Sequence, residues 1–235
     1  MTYPGGKNGA GVYQQLINLM PPHDVYVEAF AGSAAVLRHK RPARYSIAID
    51  ADASAVSNLR ALDLPSLKVM LGDGVEFLKT YPWRGREFVY LDPPYVMSSR
   101  RQSRPIYQCE MTDEQHVELL RTLQLIPPDV MMMISGYHSE MYARALSHWR
   151  LVTFEAMTRA GRTATEHVWM NYPEPLELHD YRFLGQGFRE RERIKRKRAR
   201  WMTKLERMPS LERHAILSAV AELRSTSATT GDDRV

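Results

Sequence analysis

Glu87-Phe88-Val89-Tyr90-Leu91-Asp92-Pro93-Pro94-Tyr95 is the stretch from which the fold of this chain is read. Its first residues carry the aromatic and branched side chains of a buried strand. The prolines after Asp92 end it, since proline brings no backbone donor and holds its own φ. The same pattern extends in both directions. Toward the N-terminus, residues 25–30 (VYVEAF), 45–49 (YSIAI, running into Asp50) and 68–73 (KVMLGD) have strand character. They are followed in turn by the helix-forming runs AGSAAVLRH, ASAVSNLRAL and GVEFLKTY. Residues 11–20 predict a short helix stopped by Pro21-Pro22. Toward the C-terminus come a helix from about Thr112, a strand at 130–135 (VMMMIS), a helix around 138–147, and strands at 151–158 and 166–172. Alternating strands and helices predict a three-layer α/β domain, its mostly parallel sheet covered by helices on both faces. The polar, Gly-containing turn RAGRTAT between the last two strands predicts a terminal antiparallel hairpin at the sheet's edge.

The chain has 235 residues, 44% hydrophobic and 25% charged, which suits a globular catalytic domain with a small appendage. No apolar run approaches the roughly 18 residues of a membrane span, and MTYPGGKNGAG lacks a signal-peptide core, so a cytoplasmic location is expected. The single cysteine, Cys109, excludes an intramolecular disulfide and a multi-Cys zinc site. His116, His138 and His148 lack metal-ligand spacing, and no metal is expected. Met131-Met132-Met133 reads as buried strand, and Trp83 and Trp149 as packing residues.

Charge is unevenly placed. Residues 189–207 hold ten Lys/Arg against three Asp/Glu, so this segment carries a surplus of seven and the rest of the chain a net −2 of the total +5. Residues 188–207 predict a basic helix, broken at Pro209-Ser210 and followed by a second helix over 211–223, with Ile216, Val220 and Leu223 at helical spacing. The domain is expected to span 1–175, with a linker at 176–187, the helical appendage at 188–224 and a disordered tail at 225–235.

The chemistry is concentrated at Asp92-Pro93-Pro94-Tyr95. Ligands of open α/β sheets bind beyond the carboxyl ends of the strands, where this motif lies. An adenine amino nitrogen is a poor nucleophile because its lone pair is delocalised. Two acceptors, the Asp92 carboxylate and the Pro93 carbonyl, can hold its two N–H bonds and favour the pyramidal form. The prolines aim the backbone acceptor, and Tyr95 offers a face on which a base taken out of a duplex can stack. The same tetrapeptide also reads as a strand-ending turn. Glu28-Ala29-Phe30-Ala31-Gly32-Ser33-Ala34 is a small-residue turn after a strand, which lets a ligand approach the backbone. Asp50 and Asp73 end the next two strands, placed for ribose hydroxyls and an adenine amino group respectively. Each is equally placed to cap a helix.

Taken together these residues resemble the Dam-like class of DNA adenine-N6 methyltransferases. Tyr3-Pro4-Gly5-Gly6-Lys7 resembles the class's N-terminal A-G-G-K motif, and YVEAFAGSAAV its E-P-F-x-G-S-G-x-V loop. Asp50 and Asp73 match its two cofactor acids, and DPPY is its catalytic signature. Met111-Thr112-Asp113-Glu114-Gln115-His116 is similar to its acidic helix start. Ile134-Ser135-Gly136-Tyr137 resembles its S-N-Y strand end, and Glu166-His167-Val168-Trp169-Met170-Asn171-Tyr172 its closing E-x-L-x-x-N-Y strand. The resemblance covers about residues 1–173. It implies a Rossmann-like methyltransferase fold and S-adenosylmethionine as methyl donor. It further implies catalytic residues Asp92, Pro93, Pro94 and Tyr95, and cofactor contacts from Tyr3, Gly5, Gly6, Lys7, Glu28, Phe30, Gly32, Ser33, Asp50, Asp73 and Asp92. The partner it implies is DNA, double-stranded, handled by a monomer or homodimer. A compact phage or prophage form, with a role in restriction protection, genome modification or regulation, would fit.

Two departures stand out. Ala34 replaces the loop's second glycine, which predicts a somewhat different or less close turn. Only eighteen residues separate Asp73 from Asp92, too few for the recognition domain usually inserted there. Relaxed or short sequence specificity is the consequence. Contacts to nucleic acid are then expected from Arg100, Arg101 and Arg104 beside the motif and from Arg159 and Arg162 in the hairpin turn. The basic helix adds Arg193, Lys195, Arg196, Lys197, Arg198 and Arg200, with Trp201 and Leu205 facing the second helix. Two other functions remain open: methylation of RNA amino groups, and silent nucleic-acid binding on a methyltransferase fold.

Overall fold

The computed structural model describes residues 7–9, 11–62, 64–96, 109–157, 161 and 163–229, with side chains to Leu223. It divides into two compact units, residues 1–183 and 184–235.

The first unit holds a seven-stranded sheet. The strands are β1 (Val25–Glu28), β2 (Tyr45–Asp50), β3 (Leu67–Leu71), β4 (Glu87–Leu91), β5 (Met131–Gly136), β6 (Arg150–Met157) and β7 (Thr163–Met170), in the spatial order β3-β2-β1-β4-β5-β7-β6. The first five are mutually parallel, and β7 enters antiparallel between β5 and β6. The hairpin expected at the edge is present, with β6 as the outer strand.

Side-chain alternation sorts the core into two layers. Val27, Val89, Leu91, Met132 and Ile134 face α4 (Gly74–Thr80), α5 (Asp113–Leu125) and α6 (Glu140–Ala145). Tyr26, Phe88, Tyr90 and Met133 face α1 (Val12–Ile17), α2 (Ala35–His39) and α3 (Ala53–Arg60). Central β4 is buried along its whole length, as a parallel strand covered on both faces must be, whereas burial alternates along β6. Trp83 and Trp149 pack on the first layer.

Side chains cap α3, α4 and α5. Thr112 and Gln115 form a reciprocal capping box at α5, and Asp73 caps α4 by accepting from the Val75 and Glu76 N–H groups. Gly74 follows Asp73 because nothing larger fits: a Cβ there would lie 2.3 Å from the Ala29 carbonyl oxygen. Ala34 corrects an expectation. It adopts the left-handed conformation (φ 48°, ψ 43°) that a glycine would take, so the turn keeps its shape and the alanine bears the strain.

The expected linker is a second correction. Residues 173–183 form a strap packed on the first unit. The His179 N–H donates to Met20 O (2.8 Å), the Arg41 N–H to Asp180 Oδ2 (2.8 Å), Arg182 Nη2 to His39 O (2.7 Å) and Asn18 Nδ2 to Phe183 O (2.7 Å). The His179 and His23 rings stack at 3.8 Å, and burial keeps both well below the usual imidazole range.

The second unit consists of α7 (Phe188–Arg207), with the expected bounds, and α8 (Ser210–Thr229), which runs past Leu223 into part of the expected tail. No residue of α7 is buried. Trp201 does not turn inward as expected: it is 52% exposed, with the Lys204 ammonium 5.3 Å from its ring centroid.

Candidate active site

The sheet order reverses between β1 and β4, which opens a crevice at their carboxyl ends. The loop after β1 lies on one side of it and Asp92-Pro93-Pro94-Tyr95 on the other.

On the motif side, charges from three remote parts of the chain converge. Lys7 is 5% exposed and spends its three donors on three oxygens: Asp92 Oδ1 at 3.0 Å, Glu166 Oε1 at 2.7 Å and the Tyr95 hydroxyl at 2.5 Å. Its ammonium also lies 4.9 Å from the Tyr95 ring centroid. The Tyr95 hydroxyl donates in turn to Glu166 Oε2 at 3.4 Å. Ser135, at the end of β5, donates to Asp92 Oδ1 at 3.3 Å and meets the Tyr90 hydroxyl at 2.9 Å. Among the described residues, both partners of Asp92 therefore fall on Oδ1, and Oδ2 is left as an acceptor.

Burial dominates the electrostatics here. It pushes the Asp92 carboxyl up to about 6; Lys7 opposes this shift and the Glu166 carboxylate adds to it. The two carboxylates hold the Lys7 ammonium well above its ordinary value, against the pull of burial. Tyr137 lies beside Tyr95, ring centroids 4.3 Å apart and tilted by 41°. Pro93, Pro94, Tyr95, His116, Ser135, Gly136 and Tyr137 line a small cleft. At Gly136 a Cβ would come no nearer than 3.8 Å to the Tyr95 ring, so the glycine leaves room there.

On the loop side, Asp50 Oδ2 accepts from the Gly32 N–H (2.6 Å) and Oδ1 from the Asp52 N–H (2.8 Å). Asp73 is exposed and uses only Oδ1 to cap α4, which leaves Oδ2 toward the crevice end of β3. Gly32 has φ 49°, and Phe30 packs against Gly74. Glu28, expected at the cofactor, is 2% exposed beneath the loop, where it accepts from the Tyr26 hydroxyl at 2.8 Å. Burial raises its carboxyl to about 8 and lowers the nearby Lys40 amine to about 7.

The crevice thus gathers Lys7, Phe30, Gly32, Ser33, Asp50, Asp73 and the DPPY motif around one switch point. Tyr3, Gly5, Gly6, Arg100, Arg101, Arg104, Arg159 and Arg162 lie outside the described residues. Arg193, Lys195, Arg196, Lys197, Arg198 and Arg200 belong to the second unit, exposed on α7. Arg193 and Lys195 pair with Glu190 and Glu192 one turn back; among the described residues Lys197, Arg198 and Arg200 have no acid partner.

Sequence reasoning missed Glu166 and Ser135 as site residues. The available signal for Glu166 was an acid set in an otherwise apolar and aromatic closing strand, which burial makes expensive unless a cation meets it.

Neither a family model nor a curated protein matches this sequence. Among solved structures, TrmK of M. capricolum in complex with S-adenosyl-homocysteine is 11% identical, with 91% of this chain and 95% of that one covered and a TM-score of 0.46. A dimethyladenosine transferase from Plasmodium falciparum is 15% identical over 68% of this chain and 61% of its own (TM-score 0.46). An rRNA methylase from Streptococcus thermophilus is 14% identical over 70% and 96% (TM-score 0.44). The likeness is one of fold alone: the sheet order β3-β2-β1-β4-β5-β7-β6, five parallel strands joined by an antiparallel β7, is a Rossmann-like α/β arrangement.

Proposed function

We propose that this chain is an S-adenosylmethionine-dependent methyltransferase acting on the exocyclic 6-amino group of adenine in DNA. The observation that carries the reading is the Asp92 carboxylate at the end of β4: Oδ1 is held by Lys7 and Ser135, and Oδ2 remains as an acceptor beside the aromatic Tyr95. The crevice suits the donor. Gly32 takes a left-handed turn, Gly74 lets α4 pack against the Ala29 backbone, Phe30 and Ser33 border the loop, Asp50 ends β2, and Asp73 keeps an oxygen for a ligand amino group. Bound there, S-adenosylmethionine supplies an electrophilic methyl group on a sulfonium.

The chain's own residues do the rest. Asp92 Oδ2 and the Pro93 carbonyl accept from the two N–H bonds of the amino group and hold the nitrogen pyramidal. Tyr95, its hydroxyl tied to Lys7 and Glu166, presents its ring for stacking. The Asp92 carboxylate stabilises positive charge as it develops on the nitrogen and is basic enough to receive the proton that the nitrogen sheds. The exposed cations of α7 supply sequence-independent phosphate contacts. Replacing Lys197, Arg198 and Arg200 by alanine lowers the slope of log affinity against log salt by about 2.7.

A second reading, RNA amino-group methylation, is favoured by one observation. Between Asp73 and Asp92 the chain forms only α4, a turn and β4, with no recognition domain. One experiment separates the readings. The protein is incubated with S-adenosylmethionine and either unmodified genomic DNA or ribosomal RNA, and digested nucleosides are quantified by mass spectrometry. N6-methyladenine in DNA is expected, and Asp92→Ala abolishes it while cofactor binding persists. Methylation of RNA alone moves the substrate, and normal turnover by the Asp92 variant sinks the mechanism.

A further inference from the structure

One buried cation serving two carboxylates is an uncommon economy, and the mechanism above uses only one of the acids. A lysine paired one-to-one with Asp92 would quench the carboxylate on which the amino group depends. Here the ammonium is closer to Glu166 (2.7 Å) than to Asp92 (3.0 Å), and both acids lie in nearly dry surroundings, with side-chain exposures of 4% and 17%. The trio keeps one uncompensated negative charge. Glu166 also reaches the Tyr95 hydroxyl through Oε2, so it touches both the partner of Asp92 and the anchor of the stacking ring.

We propose that Glu166 is a positioning residue for the amino-group chemistry: by competing for the Lys7 ammonium it leaves the Asp92 carboxylate a stronger acceptor than a simple lysine pair would. This rests on the amino-group reading. Among the described residues the other groups facing Asp92 are few. Burial holds the Tyr90, Tyr26 and Tyr137 phenols above their ordinary value, the Tyr95 hydroxyl donates to Glu166, and Ser135 is a neutral donor. Glu28 from β1, raised to about 8, is mostly protonated at pH 7. Among the described residues, Lys7 and Glu166 are therefore the charges that set the basicity of Asp92.

The test reads Asp92 directly. The full chain, labelled with carbon-13 at the aspartate carboxyls and assigned with Asp92→Asn, is titrated as wild type, Glu166→Gln and Glu166→Asp. In Glu166→Gln, which keeps the size and removes the charge, the Asp92 midpoint falls by about one pH unit or more as Lys7 turns wholly to it. In Glu166→Asp it stays within about half a unit of wild type. In parallel, kcat of Glu166→Gln falls and the acid limb of its pH profile moves down with the midpoint, while KM for S-adenosylmethionine holds within about twofold. A midpoint that stays put or rises in Glu166→Gln overturns the inference, as does a kcat profile unmoved by the substitution. Wild-type protein without turnover on DNA or RNA, but with the expected titrations, overturns the functional reading instead.

Discussion

The acids at the ends of β2 and β3 are satisfied in one way, the acid at the end of β4 and the one midway along β7 in the opposite way. Asp73 is used by N–H groups two and three residues on, and Asp50 by one two residues on and by Gly32. Both are held by backbone N–H groups, Asp73 as a local cap, and neither needs a remote charge. Asp92 and Glu166 instead depend on Lys7, which is 159 residues from Glu166. Acids held by backbone N–H groups make a crevice that stands ready for a ligand. Acids tied across the chain make a site that exists only when the whole sheet does.

The largest effect that would break this contrast is Lys7→Met. It strands two buried carboxylates, so a loss of about 3–5 kcal/mol is expected in the denaturant midpoint, together with loss of turnover. A stability change under about 1 kcal/mol would mean that water, not Lys7, compensates the acids. Next is Gly74→Ala. Its methyl would meet Ala29 backbone, and about 1–3 kcal/mol of destabilisation with weakened cofactor binding by calorimetry is expected.

The pH dependence sharpens the remote half of the comparison. With the Asp92 carboxyl raised to about 6, turnover falls about tenfold per unit below that pH, since the ionised form is the acceptor. The same shift makes the folded chain the tighter proton binder between the ordinary aspartate value and about 6. The contribution of Asp92 to stability therefore falls as pH rises through that window. Asp73 sharpens the local half. Asp73→Ala removes the cap, at a cost of about 1 kcal/mol, whereas Asp73→Asn keeps it. If Asp73 also serves the cofactor, both weaken binding while only the first moves the melting temperature. Smallest is Ala34→Gly: relief of left-handed strain and loss of a buried methyl nearly cancel, leaving stability within about 1 kcal/mol.

This contrast also explains what was legible beforehand. The alternation of strands and helices, the DPPY placement at a strand end and the bounds of α7 are written in short apolar or charged runs with clear punctuation. Asp50 and Asp73 were legible as either caps or ligands; Asp73 is a cap, whereas Asp52 caps α3 and Asp50 holds the Asp52 and Gly32 N–H groups instead. Glu166 stood inside a recognised motif, yet its role lies in a pairing that no local spacing encodes. The hydrogen bond from Tyr26 to the buried Glu28 was not legible, because a carboxylate next to a glycine turn looks the same in sequence whichever group meets it. The strap at 173–183 looked like a linker because its Pro, Glu and Asp residues are polar, although His179, Asp180 and Phe183 make specific bonds to a distant part of the chain.

Insertion of β7 between β5 and β6 has a consequence in time. During synthesis at ~5–20 residues per second, Lys7 waits roughly ten to thirty seconds for Glu166 to appear. Only in the last part of that interval, the roughly 2–6 seconds between β5 and β7, does β5 present an open edge to anything that can pair with it. The nascent chain is thus most exposed to misassembly just before the last strand slides home and Glu166 meets Lys7.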